Sequence, residues 1–327
     1  MFKPKYHILK DFKFESGEVL PEVKLEYATQ GVKDTDDGGN ITNALLYLHG
    51  WSGNYNSVDN LRDVIGSGKA LDTNKFYLIS PTSLGTPEST SPSTYGTKSK
   101  FPDYSIKDLA AANYKLITNK LGIGHLKGIM GTSMGGFQAL TMAVEYPNFM
   151  DFMILNGTAY RISNQMYGVY RLLIRIIKED PGYKKGNYIE NPTKALKMIS
   201  NLTFLWSFSS TYFQKNFPSR NDFIELLDEM GEDASSKWDA NDIIWRTNAM
   251  LNYDLEDMLS SVNKPSLIIG NIQDQLVDPR TSLIPLHDVI KDSNLFIFDS
   301  PLGHYGCTRD IYMAKNAIKE FIEDFIQ

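Results

Sequence analysis

The chain has 327 residues, 42 % apolar and 22 % charged, proportions ordinary for a globular protein able to bury a sizeable core. Its net charge of −6, with no basic cluster, argues against a nucleic-acid surface. No apolar run approaches the roughly 18 residues of a membrane span, and the single cysteine, Cys307, allows no internal disulfide.

Residues Lys10 to Tyr27 alternate polar and apolar around Glu15-Ser16-Gly17-Glu18, the pattern of a β-hairpin. A turn cluster over Asp34 to Asn40 follows. Ala44-Leu45-Leu46-Tyr47-Leu48 is a short continuous apolar run ending in His49-Gly50-Trp51, which suits a strand covered on both faces. Phe76 to Ser80 is a second such strand. The Ser, Thr, Pro and Gly residues after it read as a loop, and Ile106 to Asn119 has helical periodicity. Leu126 to Met130 is a third strand. The helix expected over Phe137 to Glu145 stops before Pro147, and Phe152 to Leu155 is a fourth strand.

From about Ala159 to Met250 the pattern is helical and rich in aromatic residues. Strands resume at Ser266 to Ile269 and at Leu295 to Phe298, and Ile311 to Ile326 reads as an amphipathic helix. Strand–helix alternation of this kind predicts an α/β fold with a mostly parallel, doubly wound sheet. The expected organisation is a core in two parts, 1–158 and 251–327, with 159–250 inserted as a helical lid over the C-terminal edge of the sheet.

Gly131-Thr132-Ser133-Met134-Gly135 reads G-x-S-x-G, the pattern of a nucleophile elbow. Alone it is weak, since a chain of this length shows it by chance roughly one time in ten. Its context strengthens it, because a predicted strand precedes Ser133 and a predicted helix follows. A serine hydroxyl needs a base to take its proton. In an elbow of this kind the partners follow in the order Ser, Asp or Glu, His. Only His287 and His304 lie beyond the lid. His287 precedes the last strand, on an expected helix, whereas His304 follows that strand, at the sheet edge where Ser133 should sit. His304 is therefore the expected base. Asp274 and Asp278 both follow the Ser266 strand; Asp274 is nearer its end, and Asp278 before Pro279 reads as a turn residue. Asp274 is the expected acid. The N–H groups of Met134, at a helix N-terminus, and of Trp51 are expected to stabilise the oxyanion. His49 reads as a structural histidine, Cys307 as a packed small residue, and Phe204, Trp206, Phe208, Tyr212 and Phe213 as lid packing rather than as the lining of an acyl site.

Several runs resemble a known family. Phe101-Pro102-Asp103-Tyr104-Ser105-Ile106-Lys107-Asp108 resembles the FPxxTIRD run of homoserine O-acetyltransferases, and Gly131 to Gln138 their GGSMGGMQ. Asp180-Pro181 with Gly186-Asn187-Tyr188 resembles DPxxxxGxY, and Asp239-Ala240-Asn241-Asp242 resembles DANSY. The chain is similar to that family, of the α/β-hydrolase superfamily, over nearly its whole length. The resemblance implies a triad of Ser133, Asp274 and His304, a helical lid, acyl transfer from acetyl-CoA through an acyl-enzyme, and a homodimer. One departure bears on the substrate. The transferases carry Asp after the catalytic histidine to hold the amino acid; here Tyr305 takes that substrate position, and a phenol supplies no such charge.

The leading expectation is thus a serine acyl hydrolase for a small ester or thioester. The alternative is an O-acyltransferase using an acyl-CoA, and a non-catalytic ligand-binding protein is a third class. The start, Met1-Phe2-Lys3-Pro4-Lys5-Tyr6, lacks the apolar stretch of a secretory signal, and a cytoplasmic protein without metal or bound cofactor is expected.

Overall fold

The computed structural model describes residues 3–326. Eight strands form one sheet: β1 (Lys5–Lys13), β2 (Val19–Gln30), β3 (Ala44–Leu48), β4 (Tyr77–Pro81), β5 (Leu126–Thr132), β6 (Met150–Asn156), β7 (Ser266–Asn271) and β8 (Ser293–Phe298). Their spatial order is β1-β2-β4-β3-β5-β6-β7-β8. The six strands β3 to β8 run parallel, and β1 and β2 pair antiparallel at one edge. The expected hairpin is longer at both ends than its alternation suggested. Its turn closes by Gly17 N–H donating to Phe14 O, with Gly17 at φ +92, a conformation glycine adopts without strain.

The parallel strands are unbroken apolar runs because both faces are covered. Leu46, Leu48, Ile129 and Leu155 join the core on one face, while Leu45, Tyr47, Met130 and Ile154 join that on the other. Helices α1 (Ile106–Lys115) and α2 (Met134–Glu145) cover one face. Five more lie between β6 and β7: α3 (Asn164–Glu179), α4 (Thr193–Ser207), α5 (Ser210–Asn216), α6 (Arg220–Lys237) and α7 (Ala240–Leu251). Then α8 (Leu283–Val289) adds to the first cover, and α9 (Lys315–Glu323) packs on the other face.

Helix α1 starts at a capping box, with Ser105 and Asp108 bonding reciprocally. Asp108 also accepts the Glu15 N–H at 2.8 Å, which ties the edge hairpin to the helix layer. The C-terminal helix is shorter than its periodicity suggested: Ile311–Ala314 forms a 3₁₀ turn before α9. Helix α2 begins three residues earlier than expected, directly after Ser133. Periodicity does not see that first turn, where Gly135 and Gly136 carry no side chain to mark a face.

After β3 the chain crosses to β4 on one side and then to β5 on the other. The order of connection reverses between β3 and β5, and a crevice opens outside their carboxyl ends, where open α/β sheets bind ligands. His49 to Trp51 leave β3 there, and Ser133 leaves β5.

Candidate active site

Ser133 sits at φ 55, ψ −122, a strained backbone for a residue with a Cβ. Its surroundings hold it there. The Ser133 N–H donates to Asn156 O at 2.9 Å, and Thr158 Oγ1 donates to Ser133 O at 2.8 Å. A Cβ on Gly135 would lie 2.0 Å from Leu48 O, so only glycine lets the elbow approach β3 this closely. Ser133 occupies the N-cap of α2 without capping it. Its Oγ lies instead 2.9 Å from His304 Nε2.

His304 is reached through a loop pinned from below. Asn271, the last residue of β7, donates to Ser300 O and Gly303 O at 2.8 and 2.7 Å and accepts the Ser300 N–H. Asn156, at the end of β6, donates to Cys307 O. Gly303 is left-handed at φ +57, and a Cβ on it would meet Ser207 O at 2.7 Å. Neither asparagine was singled out from the sequence. Their position as the polar last residues of apolar strands is the one signal that marks them.

His304 Nδ1 donates to Asp274 Oδ2 at 2.6 Å. The other oxygen of Asp274 accepts the Leu276 and Val277 N–H groups at 2.9 and 2.8 Å. Asp274 is 2 % exposed and Ser133 6 %, while the His304 side chain keeps 15 %. Burial by itself lowers the His304 pKa, but the Asp274 charge and hydrogen bond outweigh it, so the pKa is raised above 6.5. Asp278 is elsewhere: its carboxylate pairs with Arg280 in the following turn. His287 bonds Ser293 Oγ, the first residue of β8 and so at the opposite end of that strand from His304.

His49 is fully buried. Its Nε2 accepts the Ser83 N–H at 3.0 Å, which leaves Nδ1 to donate to Gly50 O at 2.7 Å. Burial, with the Arg246 charge adding, pushes its pKa down to about 4, so it stays neutral and braces the loop. That loop carries Gly50 and Trp51 to the elbow; a Cβ on Gly50 would lie 3.3 Å from Ser133 Cβ. Cys307 is buried and its thiol pKa is raised by burial, then by the Asp274 charge, so it is no thiolate at neutral pH.

Ser133 and His304 open into a cavity of about 200 Å³ whose wall also takes residues from α3, α4 and α6. An enclosed apolar cavity of about 150 Å³ holds benzene, so this space suits a small acyl or alkyl group. Its apolar wall includes Trp51, Tyr170, Phe204, Trp206, Met230 and Trp238. Tyr305 faces it too. The lid aromatics therefore divide: Phe204 and Trp206 line the cavity, whereas Phe208, Tyr212 and Phe213 do not. Phe208 stacks between Tyr212 (4.2 Å) and Tyr305 (4.8 Å), and the Arg309 guanidinium lies 4.8 Å from the Tyr305 ring.

Residues 43–307 match the family described as having the alpha/beta hydrolase fold. The chain belongs to the α/β-hydrolase family. It is 36 % identical over 303 residues to a probable acyltransferase of Methanothermobacter thermautotrophicus, covering 92 % of each chain. The homoserine O-acetyltransferase of Bacillus anthracis superposes with a TM-score of 0.88 at 26 % identity, over 99 % of this chain and 98 % of that one. An acetylester hydrolase of Corynebacterium glutamicum superposes with a TM-score of 0.87 at 21 % identity, over 98 % and 96 %. That last likeness is one of fold. The protein is thus an enzyme of an α/β-hydrolase group that resembles the homoserine O-acetyltransferases. Among its described residues no helix is long and apolar enough to cross a membrane.

Proposed function

We propose that this α/β hydrolase is a serine acyl hydrolase acting on small, uncharged esters or thioesters. The observation that carries the reading is the hydrogen-bonded chain from Ser133 through His304 to buried Asp274 at the floor of a cavity. Ser133 Oγ attacks the acyl carbon while His304 Nε2 takes its proton. Asp274 keeps the Nδ1 proton in place and stabilises the imidazolium. The Trp51 and Met134 N–H groups receive the developing oxyanion, the latter helped by the N-terminus of α2. His304 then returns its proton to the leaving alcohol or thiol. Water, deprotonated by His304, resolves the acyl-enzyme.

A second reading, O-acyl transfer, shares the first half-reaction and has the named relatives in its favour. Against homoserine as acceptor stands the lining of the cavity. Among the described residues it contains no Lys, Arg, Asp or Glu, and Tyr305 supplies no fixed charge. A zwitterion would meet hydroxyl and amide groups there, among them Asn60, Ser200 and Thr203, but no side chain of opposite charge for its ammonium or its carboxylate.

The test is p-nitrophenyl acetate turnover beside an acetyl-CoA assay with and without homoserine. The expected result is saturable ester hydrolysis and no homoserine-dependent release of CoA. Homoserine-dependent CoA release faster than ester hydrolysis would replace hydrolysis by transfer.

A further inference from the structure

Trp51 is gripped from the lid by residues that the reaction described above does not use. Arg246, in the second half of α7, donates from Nη1 to the Trp51 carbonyl oxygen. Its guanidinium lies 5.4 Å from the Trp51 ring. The next residue, Thr247, accepts the Trp51 indole N–H at 3.3 Å. Trp238 packs edge-on against the same ring at 5.9 Å. One turn before Arg246, Asp242 accepts the Ser93 N–H at 2.9 Å and its hydroxyl at 2.5 Å, which locks the start of α7 to the core.

Arg246 is a costly residue to keep here. It is 5 % exposed, and its Nε has no partner among the described residues. A buried guanidinium with an idle donor carries a desolvation penalty that an apolar residue of similar volume does not. Local rules are broken in this way chiefly at functional sites. What the arginine supplies is a fixed Trp51 carbonyl. With the carbonyl held by Arg246 and the indole by Thr247, residue 51 has little freedom to rotate, and its N–H, on the preceding peptide, keeps one direction.

We propose that Arg246 is a positioning residue that aims the Trp51 N–H at the oxyanion, so that this half of the oxyanion hole is set by the lid. The inference rests on the acyl-enzyme reading above.

The test compares R246M and R246K with the wild-type protein, using p-nitrophenyl acetate and two inhibitors. One is a trifluoromethyl ketone: Ser133 Oγ adds to its carbonyl carbon, the hydroxyl proton passes to His304, and the ketone oxygen becomes an oxyanion. The other is the matching methyl carbinol, which bears no oxyanion. Removing one oxyanion donor costs about 100- to 1000-fold in kcat, so a misaimed donor should cost about 10- to 100-fold. R246M is expected to lose that factor in kcat with KM within about twofold. The trifluoromethyl ketone should weaken by a similar factor and the carbinol should not. The acid limb of the pH profile should stay in place, because His304 and Asp274 are untouched, and R246K should recover part of the loss. Unchanged kcat and ketone affinity in folded R246M would overturn the inference, as would equal weakening of both inhibitors. If R246M does not fold, T247V carries the test. It is expected to weaken the ketone selectively, and an unchanged ketone affinity would overturn the clamp. S133A run in parallel separates the two levels. Wild-type turnover by S133A defeats the acyl-enzyme reading, whereas an inactive S133A beside an unimpaired R246M defeats only the role of Arg246.

Discussion

Replacing Asp274 by Asn removes the charge beside His304 while leaving the turn that carries it. In the native turn Oδ1 accepts two backbone N–H groups, from Leu276 and Val277, and Oδ2 accepts from His304. An asparagine amide has one oxygen, and the two fixed N–H groups claim it. Its NH₂ then faces His304 Nδ1, which must accept. The ring proton moves to Nε2, on the side of Ser133, where it blocks proton abstraction. The imidazolium formed during attack also loses its counter-charge. With charge centres about 4 Å apart and an effective dielectric near 20, that interaction is worth about 4 kcal/mol, which corresponds to about a thousandfold in rate.

The pH profile should change as well. A base works when neutral, so kcat/KM rises with pH through the His304 pKa. In the wild-type protein Asp274 holds that pKa above 6.5; without the charge, burial is left to act and the pKa falls below 6.5. The assay is kcat/KM for p-nitrophenyl acetate against pH, beside a thermal melt. The expected result is a loss of about a thousandfold near neutral pH, an acid limb displaced to lower pH, and a melting temperature within a few degrees of wild type. Activity within tenfold of wild type, or an acid limb that does not move, would refute the reasoning.

Five further substitutions probe other links. His304→Ala should cost at least about a thousandfold in kcat/KM on the same argument, whereas His287→Ala, which removes only the bond to Ser293 far from the elbow, should stay within about twofold; comparable losses would mean that the base is misassigned. Gly135→Ala puts a methyl 2.0 Å from Leu48 O and should destabilise the fold by about 3 kcal/mol or more, while Gly168→Ala, on the open face of α3, should stabilise it by about 0.5–1 kcal/mol; denaturant melts compare the two. Burial raises the Asp242 carboxyl to about 6, with the Asp239 charge adding and the Ser93 hydrogen bonds opposing. Between about pH 4 and 6 the native state then holds a proton that the unfolded chain has released, so stability falls as pH rises across that window, by up to about 3 kcal/mol. Asp242→Asn should flatten that slope in urea melts, and an unchanged slope would contradict the assignment.

The sequence was most legible where one local cause decides the structure. Leu45 to Leu48 and Leu267 to Ile269 are continuous apolar runs because both faces of the sheet are covered. The elbow is legible because the close approach of Gly135 to Leu48 tolerates no side chain, which leaves a mark in residue type. The clamp on Trp51 leaves no such mark. Arg246 and Trp51 lie 195 positions apart, and an arginine in an amphipathic helix reads as a solvent-facing residue until α7 is seen to pack on the loop after β3. The aromatics of the inserted segment divide, against the expectation for Phe204 and Trp206 alone, for a related reason. Helical spacing tells which face of α4 is apolar but not whether that face meets the cavity, as Phe204 does, or the Phe208–Tyr305 stack. Short pieces such as Ile65–Gly66 pairing with Leu71–Asp72 are beyond any periodicity, having only two residues each.

The central claim is that acyl groups pass through Ser133. Its most direct test is rapid quenching of the enzyme in acid during turnover of p-nitrophenyl acetate, followed by intact-mass and peptide analysis. The account predicts one acetyl group per chain, carried on the peptide that contains Ser133, present in His304→Ala at a much reduced rate of formation and absent in Ser133→Ala. Turnover at an undiminished rate by Ser133→Ala, or an acetyl group on any other residue that forms and decays at the rate of turnover, would contradict it.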